Sequence, residues 1–412
     1  ALETSFYQST QDFISHLPAI HFANETILIK GARRFGFERI SKALTLKIHD
    51  TILEINLNAL AENLQFYRSK LKPGVKTMAM VKAFSYGSGS FEIANLLQYQ
   101  KVDYLAVAYA DEGIALRKAG ISLPIMVMSP EPSAFEAIIK YKLEPEIYNI
   151  SILKSFINFL SDSEVDFKIH IKLDTGMHRL GFEKEDLPEL LNLLLNSKKI
   201  RVETIFTHLV ASEQAKHDGF TGSQIEEFSS LYNKLSEQLK YTPLKHVLNT
   251  SGITRWKEAQ MDMVRMGIGL YGFDSALANN KGLQTVAVLK TTVTQVKNLK
   301  AGETVGYGRQ GVLPNGGKIA TVKIGYADGY NRKFGNGVGR MLLNGQLVPT
   351  IGSICMDMCM LDVTGVPVNT GDEVIVFGHE HTIVDLARQI DTIPYEILTN
   401  VSQRVKRVYF FE

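Results

Sequence analysis

Eight short apolar runs, each followed by a stretch with helical spacing, mark the chain between residues 77 and 266. They fall at 77–82, 104–108, 125–128, 145–148, 167–173, 202–208, 246–249 and 263–266. Helical patterns lie between them, as at 110–119, where Gly120 is a stop signal, and at 221–239. Eight buried strands with intervening helices over about 220 residues is the arithmetic of a (β/α)8 barrel. A doubly wound open sheet has the same periodicity, so periodicity alone leaves both architectures open, with the barrel ahead.

The flanks read differently. Leu53, Ile55 and Leu57 alternate with Glu54 and Asn56, as in a half-buried strand. Asn58 is placed to cap a helix carrying Leu60, Leu64 and Tyr67 at i, i+4, i+7. Residues 1–45 hold a polar helix over 9–16, a strand-like run at 27–31 and the basic residues Arg33, Arg34, Arg39 and Lys42. Near residue 286 the rhythm changes to alternating Val/Thr and polar residues. Turns follow quickly at Ala301-Gly302, Pro314-Asn315-Gly316, Asn344-Gly345 and Thr370-Gly371-Asp372, the pattern of an all-β unit with one helix at 382–390. The expected division is a tail or linker at 1–45, an α/β barrel at 46–285 and a β-rich unit at 286–412.

Composition narrows the function classes. Among 412 residues, 45 Lys+Arg face 43 Asp+Glu, a formal charge of +2. That balance argues against a nucleic-acid binder held by phosphate contacts. No run is long and apolar enough to span a membrane. Cys355 and Cys359 are the two cysteines, too few for a secreted disulfide framework and too few to complete a zinc site. No signal peptide is visible, so a cytoplasmic setting is expected. The first residue is Ala, and a piece of a longer chain is expected.

The chemistry should lie at the C-terminal ends of the barrel strands. Lys82 ends the first run, inside Val81-Lys82-Ala83-Phe84-Ser85-Tyr86-Gly87. A lysine among desolvating neighbours can have a lowered pKa and form a Schiff base, although a solvated lysine beside a loop is the plainer reading. The seventh and eighth runs end in Asn249-Thr250-Ser251-Gly252 and Arg265-Met266-Gly267-Ile268-Gly269. Barrels bind phosphate at that place through N–H groups and hydroxyls. A reactive lysine and a phosphate cup together suggest pyridoxal phosphate.

These residues sit within a wider set of motifs: Lys172-Leu173-Asp174-Thr175-Gly176-Met177-His178-Arg179-Leu180-Gly181, Met263-Val264-Arg265-Met266-Gly267-Ile268, Val305-Gly306-Tyr307-Gly308, Gly325-Tyr326-Ala327-Asp328-Gly329, Cys355-Met356-Asp357 and Tyr395-Glu396. From about residue 46 to 412 the chain resembles the alanine racemases, fold-type III pyridoxal 5'-phosphate enzymes. The resemblance implies a racemase supplying D-alanine for peptidoglycan synthesis from a homodimer with shared active sites. Lys82 is then the cofactor lysine and the proton carrier on one face of the substrate. Tyr307, from the other subunit, works on the opposite face. A phenol is a poor base at neutral pH, and Arg179 is expected to favour its ionised form and to hold the substrate carboxylate. Arg265 is expected to face the cofactor's pyridine nitrogen, supported by His208. A guanidinium donates there without giving up its proton, whereas related barrel decarboxylases place a carboxylate.

The resemblance further implies cofactor contacts from Tyr86, Asn249, Thr250, Gly267, Ile268 and Tyr395, and substrate contacts from Met356, Asp357 and Tyr326. Tyr326, Arg332 and Tyr395 match a corridor that admits small substrates. Lys172 matches a lysine that is carbamylated in many members. The chain departs from the family pattern at Phe84, Ser85, Ser88, Thr250 and His178. No catalytic metal is expected. A broader amino-acid racemase, a non-catalytic pyridoxal-phosphate carrier and a scaffold without activity are the competing readings. Residues 27–38 resemble the last strand and turn of the ligase that adds D-alanyl-D-alanine to the peptidoglycan precursor. They suggest a ligase–racemase fusion, with no nucleotide-binding loop in this stretch to support ligase activity.

Overall fold

After a first strand, β1 (Ile52–Asn56), eight strands run parallel: β2 (Lys76–Met80), β3 (Tyr104–Val107), β4 (Ile125–Val127), β5 (Glu144–Ile147), β6 (Phe167–Lys172), β7 (Ile200–Phe206), β8 (Leu244–His246) and β9 (Met263–Met266). This computed structural model describes residues 4–20, 22, 27–31, 35–44, 51–160 and 166–411. The parallel ladder runs in order from β2 to β8, and β9 returns to pair with β2. Two backbone bonds join the last pair: the Asp262 N–H to Lys245 O (3.1 Å) and the Arg265 N–H to Leu248 O (3.0 Å). The sheet therefore curls into a barrel, which decides between the two architectures that periodicity allowed.

Strands covered on both faces read as continuous apolar runs. Leu105-Ala106-Val107 and Ile125-Met126-Val127 are buried throughout. The other half of the ring departs from this rule. Glu144 and Glu146, His170 and Lys172, Thr204, His246 and Arg265 are all buried on β5 to β9, so a polar interior replaces the usual branched apolar layers.

The β-rich unit contains β10 (Ala287–Leu299), β11 (Thr304–Val305), β12 (Gly311–Val312), β13 (Gly317–Val322), β14 (Arg340–Leu343), β15 (Gln346–Ile351), β16 (Cys359–Asp362), β17 (Glu373–Phe377) and β18 (Lys406–Phe410). The long β10 pairs with β17 and with β13, and so closes the β13 end of its sheet back on an inner strand. The alternating run at Leu53–Leu57 is a strand, but it joins this sheet: β1 lies antiparallel to β10 and parallel to β18. The helix after it, Leu57–Arg68, is capped by Asn56, whose Oδ1 accepts the Ala59 N–H at 3.0 Å. It therefore starts before Asn58, the expected cap.

One apolar core runs through both units. Arg407 latches them together. Its guanidinium donates to Gly87 O twice (3.0 and 2.9 Å) and to the carbonyls of Val401, Ser402 and Val405. Arg407 is thus an internal clamp.

In the tail, Thr10–His16 is helical with Ser9 as its cap. Residues 27–31 form no strand, which corrects the strand expected there. Arg33, Arg34 and the side chain of Lys42 lie outside the described residues. No helix among the described residues is long and apolar enough to cross a membrane.

Candidate active site

Lys82 follows β2 at the C-terminal rim of the barrel and opens an unusual turn. Ala83, Phe84, Ser85 and Tyr86 have φ of 52, 55, 49 and 53°, four successive non-glycine residues in the left-handed region. L-residues resist this conformation by roughly 1–2 kcal/mol each, so the surroundings must impose it. The Ser85 N–H reaches Val81 O (3.1 Å), the Gly87 N–H reaches Ala83 O (2.9 Å) and the Gly89 N–H reaches Phe84 O (2.9 Å). Gly87 closes the turn at φ 79°, and a Cβ there would sit 2.2 Å from Leu398 O. Strain of this kind gathers at functional sites. Here it buries Tyr86 and leaves Lys82 half-buried. Burial lowers the Lys82 pKa, and the charges of Arg179 and Lys172 lower it further against Glu146 and Glu112. That is the direction a nucleophilic amine requires.

Opposite lies a cradle built from backbone and hydroxyls. Thr250, buried at the start of the helix Thr250–Arg255, accepts the Gly267 N–H on Oγ1 at 2.9 Å. A Cβ on Gly267 would lie 3.0 Å from the Tyr86 hydroxyl and 3.6 Å from Thr250 Oγ1, so only glycine leaves that space open. Ile268 is buried beside it. Tyr395 reaches over from the β-rich unit, its ring 6.1 Å from that of Tyr86. Burial holds the Tyr86 phenol well above its ordinary pKa and pushes Tyr395 to about 12, so both remain O–H donors. Asn249 fixes the helix start: its Oδ1 accepts the Gly252 N–H (2.9 Å) and the Ser212 hydroxyl (2.8 Å).

Arg265 lies 3% exposed at the end of β9. It donates to Thr207 O (2.7 Å), Val247 O (3.0 Å) and His246 Nδ1 (2.5 Å). His208, the expected support, stands farther off at 3.5 Å. Sequence reasoning missed His246. Its signal was a histidine at an inward strand position, in line with the polar His170 and Thr204 on the neighbouring strands.

These groups form one chain. His246 Nε2 is 3.0 Å from Thr204 Oγ1, Thr204 Oγ1 is 2.9 Å from His170 Nδ1, and His170 Nε2 is 3.0 Å from Glu144 Oε2. A guanidinium only donates and a carboxylate only accepts. One run of protons satisfies the whole chain: arginine to His246 Nδ1, His246 Nε2–H to threonine, threonine to His170 Nδ1, and His170 Nε2–H to glutamate. His246, whose Nδ1 accepts from the guanidinium, is neutral in this arrangement. Burial, then Arg265, depresses His246 and His208 well below the ordinary histidine range. Burial also lowers the Arg265 pKa to about 10, which leaves it protonated at neutral pH.

Arg179 is exposed on the loop after β6, and its charge bears on Lys82 and His208. Asp174 braces that loop by accepting the N–H groups of Gly176 (2.9 Å), Met177 (2.9 Å) and His178 (3.1 Å). Burial acts to raise the Asp174 pKa, but those three donors hold it below its ordinary value. His178 sits at φ 52°, a conformation that glycine adopts more easily. Lys172 is buried at the end of β6, its Nζ 3.3 Å from Glu146 Oε1.

The remaining expected residues form a separate group on the β-rich unit. Tyr307 is 74% exposed, on a short turn above a small core of Val305, Ile319 and Ile351. Tyr326, Met356 and Asp357 stand together. The Tyr326 N–H bonds Cys355 O and the Ala327 N–H bonds Met356 O (3.0 Å each), while Arg404 bridges Asp328 (2.7 Å) and Asp357 (2.8 Å). Tyr326 and Met356 are exposed. Arg332 lies in the short turn Arg332–Phe334.

Residues 55–275 match the family description "Alanine racemase, N-terminal domain", and residues 286–409 match "Alanine racemase, C-terminal domain". Alanine racemase 1 of Caldanaerobacter subterraneus subsp. tengcongensis is 34% identical over 375 residues, covering 89% of this chain and 96% of that protein. Among solved structures, the alanine racemase of Clostridium difficile 630 superposes with a TM-score of 0.83 at 34% identity, covering 88% of this chain and 96% of the other. That of Bartonella henselae with covalently bound pyridoxal phosphate superposes with a TM-score of 0.80 at 28% identity, over 88% of this chain and 99% of the other. With a barrel and a β-rich unit each matched along its length, the chain belongs to the alanine racemase family.

Proposed function

We propose that this protein interconverts L-alanine and D-alanine with pyridoxal 5'-phosphate as cofactor. The observation that carries the reading is the pairing of Lys82, with its lowered pKa, with the cradle of Thr250, Tyr86 and the open Cβ position of Gly267. The donor set fits a phosphate ester: two hydroxyls kept protonated by burial, a threonine hydroxyl and backbone N–H groups. Tyr86, Thr250, Gly267, Ile268 and Tyr395 would hold the phosphate, Lys82 the covalent link and Arg265 the ring nitrogen. When bound, the cofactor supplies an electron sink that makes the substrate Cα–H acidic.

The residues of the chain then do the proton work. The Lys82 amine takes or gives the proton on one face of the α-carbon. The Tyr307 phenol does so on the other, since a single group would return the proton to the side it came from. One proton is taken and one is given, so charge balances in either direction. Arg179, braced by Asp174, binds the substrate carboxylate. Arg265, with all its bonds donated and its partners neutral, gives a hydrogen bond to the ring nitrogen without a proton. It limits the electron sink and favours return of a proton over side reactions.

The exposure of Tyr307 supports a homodimer in which each active site takes its phenol, together with Tyr326, Met356 and Asp357, from the partner. Supply of D-alanine for peptidoglycan in the cytoplasm is the biological setting that fits this activity. Fusion to the ligase that adds D-alanyl-D-alanine rests on the resemblance of residues 27–38 alone. Incubation of the protein and cofactor with L-alanine should generate D-alanine, and with D-alanine the reverse. The Lys82→Ala variant should abolish both. A panel including serine separates alanine from broader specificity. A protein that binds the cofactor without racemising any amino acid would contradict the proposal.

A further inference from the structure

The cradle is assembled from two stretches of chain, the start of the helix Thr250–Arg255 and the turn at Gly267 and Ile268. They are tied directly by the Gly267 N–H to Thr250 Oγ1 bond. That tie uses the same hydroxyl that has to meet a phosphate. A second tie uses none of the cradle's own atoms. Farther along the second stretch, Asp274 is 1% exposed, and its carboxylate gathers donors from three parts of the chain. Oδ1 accepts the Ser251 hydroxyl (2.7 Å) and the Ala276 N–H (2.9 Å). Oδ2 accepts the Thr254 hydroxyl (2.7 Å) and the hydroxyl of Tyr67 (3.0 Å), which is fully buried on the helix Leu57–Arg68. These donors fill the lone-pair sites of both oxygens, so Asp274 keeps no acceptor site for a ligand. Its own backbone N–H is fixed by Asn280 Oδ1 (2.9 Å).

We propose that Asp274 is a positioning residue for the cofactor's phosphate: it locks the helix carrying Thr250 to the stretch carrying Gly267 and Ile268, so that their hydroxyl and N–H groups stand in place before a phosphate arrives. The inference rests on the reading of those three residues as phosphate contacts. Ser251 and Thr254 lie at i and i+3, neighbours on one face of the helix. Two bonds to one carboxylate therefore fix the rotation of the helix as well as its distance. A site whose groups are held by a supporting layer of hydrogen bonds loses little further freedom on binding. A carboxylate that only filled the core would affect every ligand of the site alike, whereas Asp274 should act on the phosphate alone.

Titration of the full chain, freed of cofactor, with pyridoxal 5'-phosphate and separately with pyridoxal reads that difference. Pyridoxal lacks the phosphate but keeps the aldehyde for Lys82 and the ring nitrogen for Arg265, and visible absorbance follows the uptake of both. The wild type should prefer the phosphate ester. Asp274→Ala should bind the ester about 10–100-fold more weakly, the range seen when residues that orient a metal's ligands are removed, and should bind pyridoxal as the wild type does. Ser251→Ala combined with Thr254→Val removes two of the donors and leaves the carboxylate. It should show the same selective loss, and it serves if Asp274→Ala does not fold. Asp274→Asn, whose amide oxygen still accepts the Ser251 hydroxyl and the Ala276 N–H, should recover part of the preference. Equal loss for both compounds, or no loss for either in a folded variant, would overturn the proposal. A wild type that takes up both compounds equally would instead overturn the reading of the cradle as a phosphate site, so the two fail separately.

Discussion

The barrel end and the face of the β-rich unit carry equally important residues in opposite conditions. At the barrel end Arg265, His246, Thr204 and Lys172 are buried, and each is held by a named neighbour on an adjoining strand. On the β-rich face Tyr307, Tyr326 and Met356 are exposed. Their backbones are fixed, and among the described residues their side chains make no hydrogen bond. The first group is finished when one chain folds. The second is presented outward, as the proposed homodimer requires. Stability and activity should therefore separate between the two regions.

The largest stability effect is expected at Thr204, where one hydroxyl serves both His170 and His246. Thr204→Val keeps the shape and strands a polar nitrogen on each ring. It should destabilise the protein by about 2–6 kcal/mol, at 1–3 kcal/mol for each buried unpaired group, read as a lower midpoint in urea denaturation. Thr204→Ser should restore most of that. A Thr204→Val protein as stable as the wild type would mean that the chain from Arg265 to Glu144 is not energetically connected.

A smaller effect comes from pH. His208 and His246 are held below the ordinary histidine range in the folded state. The unfolded chain binds protons near pH 6.5 while the folded chain does not. Stability present above that pH is therefore lost as the solution is acidified, by up to about 1.4 kcal/mol per pH unit for each histidine. Denaturation midpoints measured from pH 7.5 to 5.5 should fall steadily. A flat profile would mean that the imidazoles titrate normally in the fold.

The smallest stability effect belongs to Tyr307→Phe, within about 0.5 kcal/mol of wild type as for other exposed positions. Racemisation should nevertheless fall by about 10²–10⁴-fold, the usual contribution of a positioned acid–base group. A variant that lost stability along with activity would place Tyr307 with the barrel residues and erase the contrast.

Much of this was legible in the sequence. The barrel strands β3 and β4 were readable as continuous apolar runs because both of their faces are buried, whereas β5 to β9 were readable by their spacing in spite of the polar residues they bury. The residues with chemistry at their ends followed from that frame and from the family motifs. What escaped depended on contacts distant in sequence. Alternation at residues 53–57 marks a strand but not its sheet, and β1 pairs with strands more than 200 residues away. The left-handed turn at 83–86 lacks the glycines that would announce it, because its conformation is imposed by packing. His208 was a reasonable partner for Arg265 by position just beyond β7, yet the strand geometry brings His246 nearer. Two carboxylates at 144 and 146 in a buried strand were the visible sign of the polar barrel interior.

The decisive measurement is complementation between Lys82→Ala and Tyr307→Phe. Each variant alone should be inactive. Co-expressed, half of the randomly assembled dimers carry both kinds of subunit, and each of those has one intact site and one lacking both groups. Activity should then recover to about a quarter of wild type. If the mixture stays as inactive as its parents, the amine and the phenol act within one chain, and the outward-facing half of the site has been misassigned.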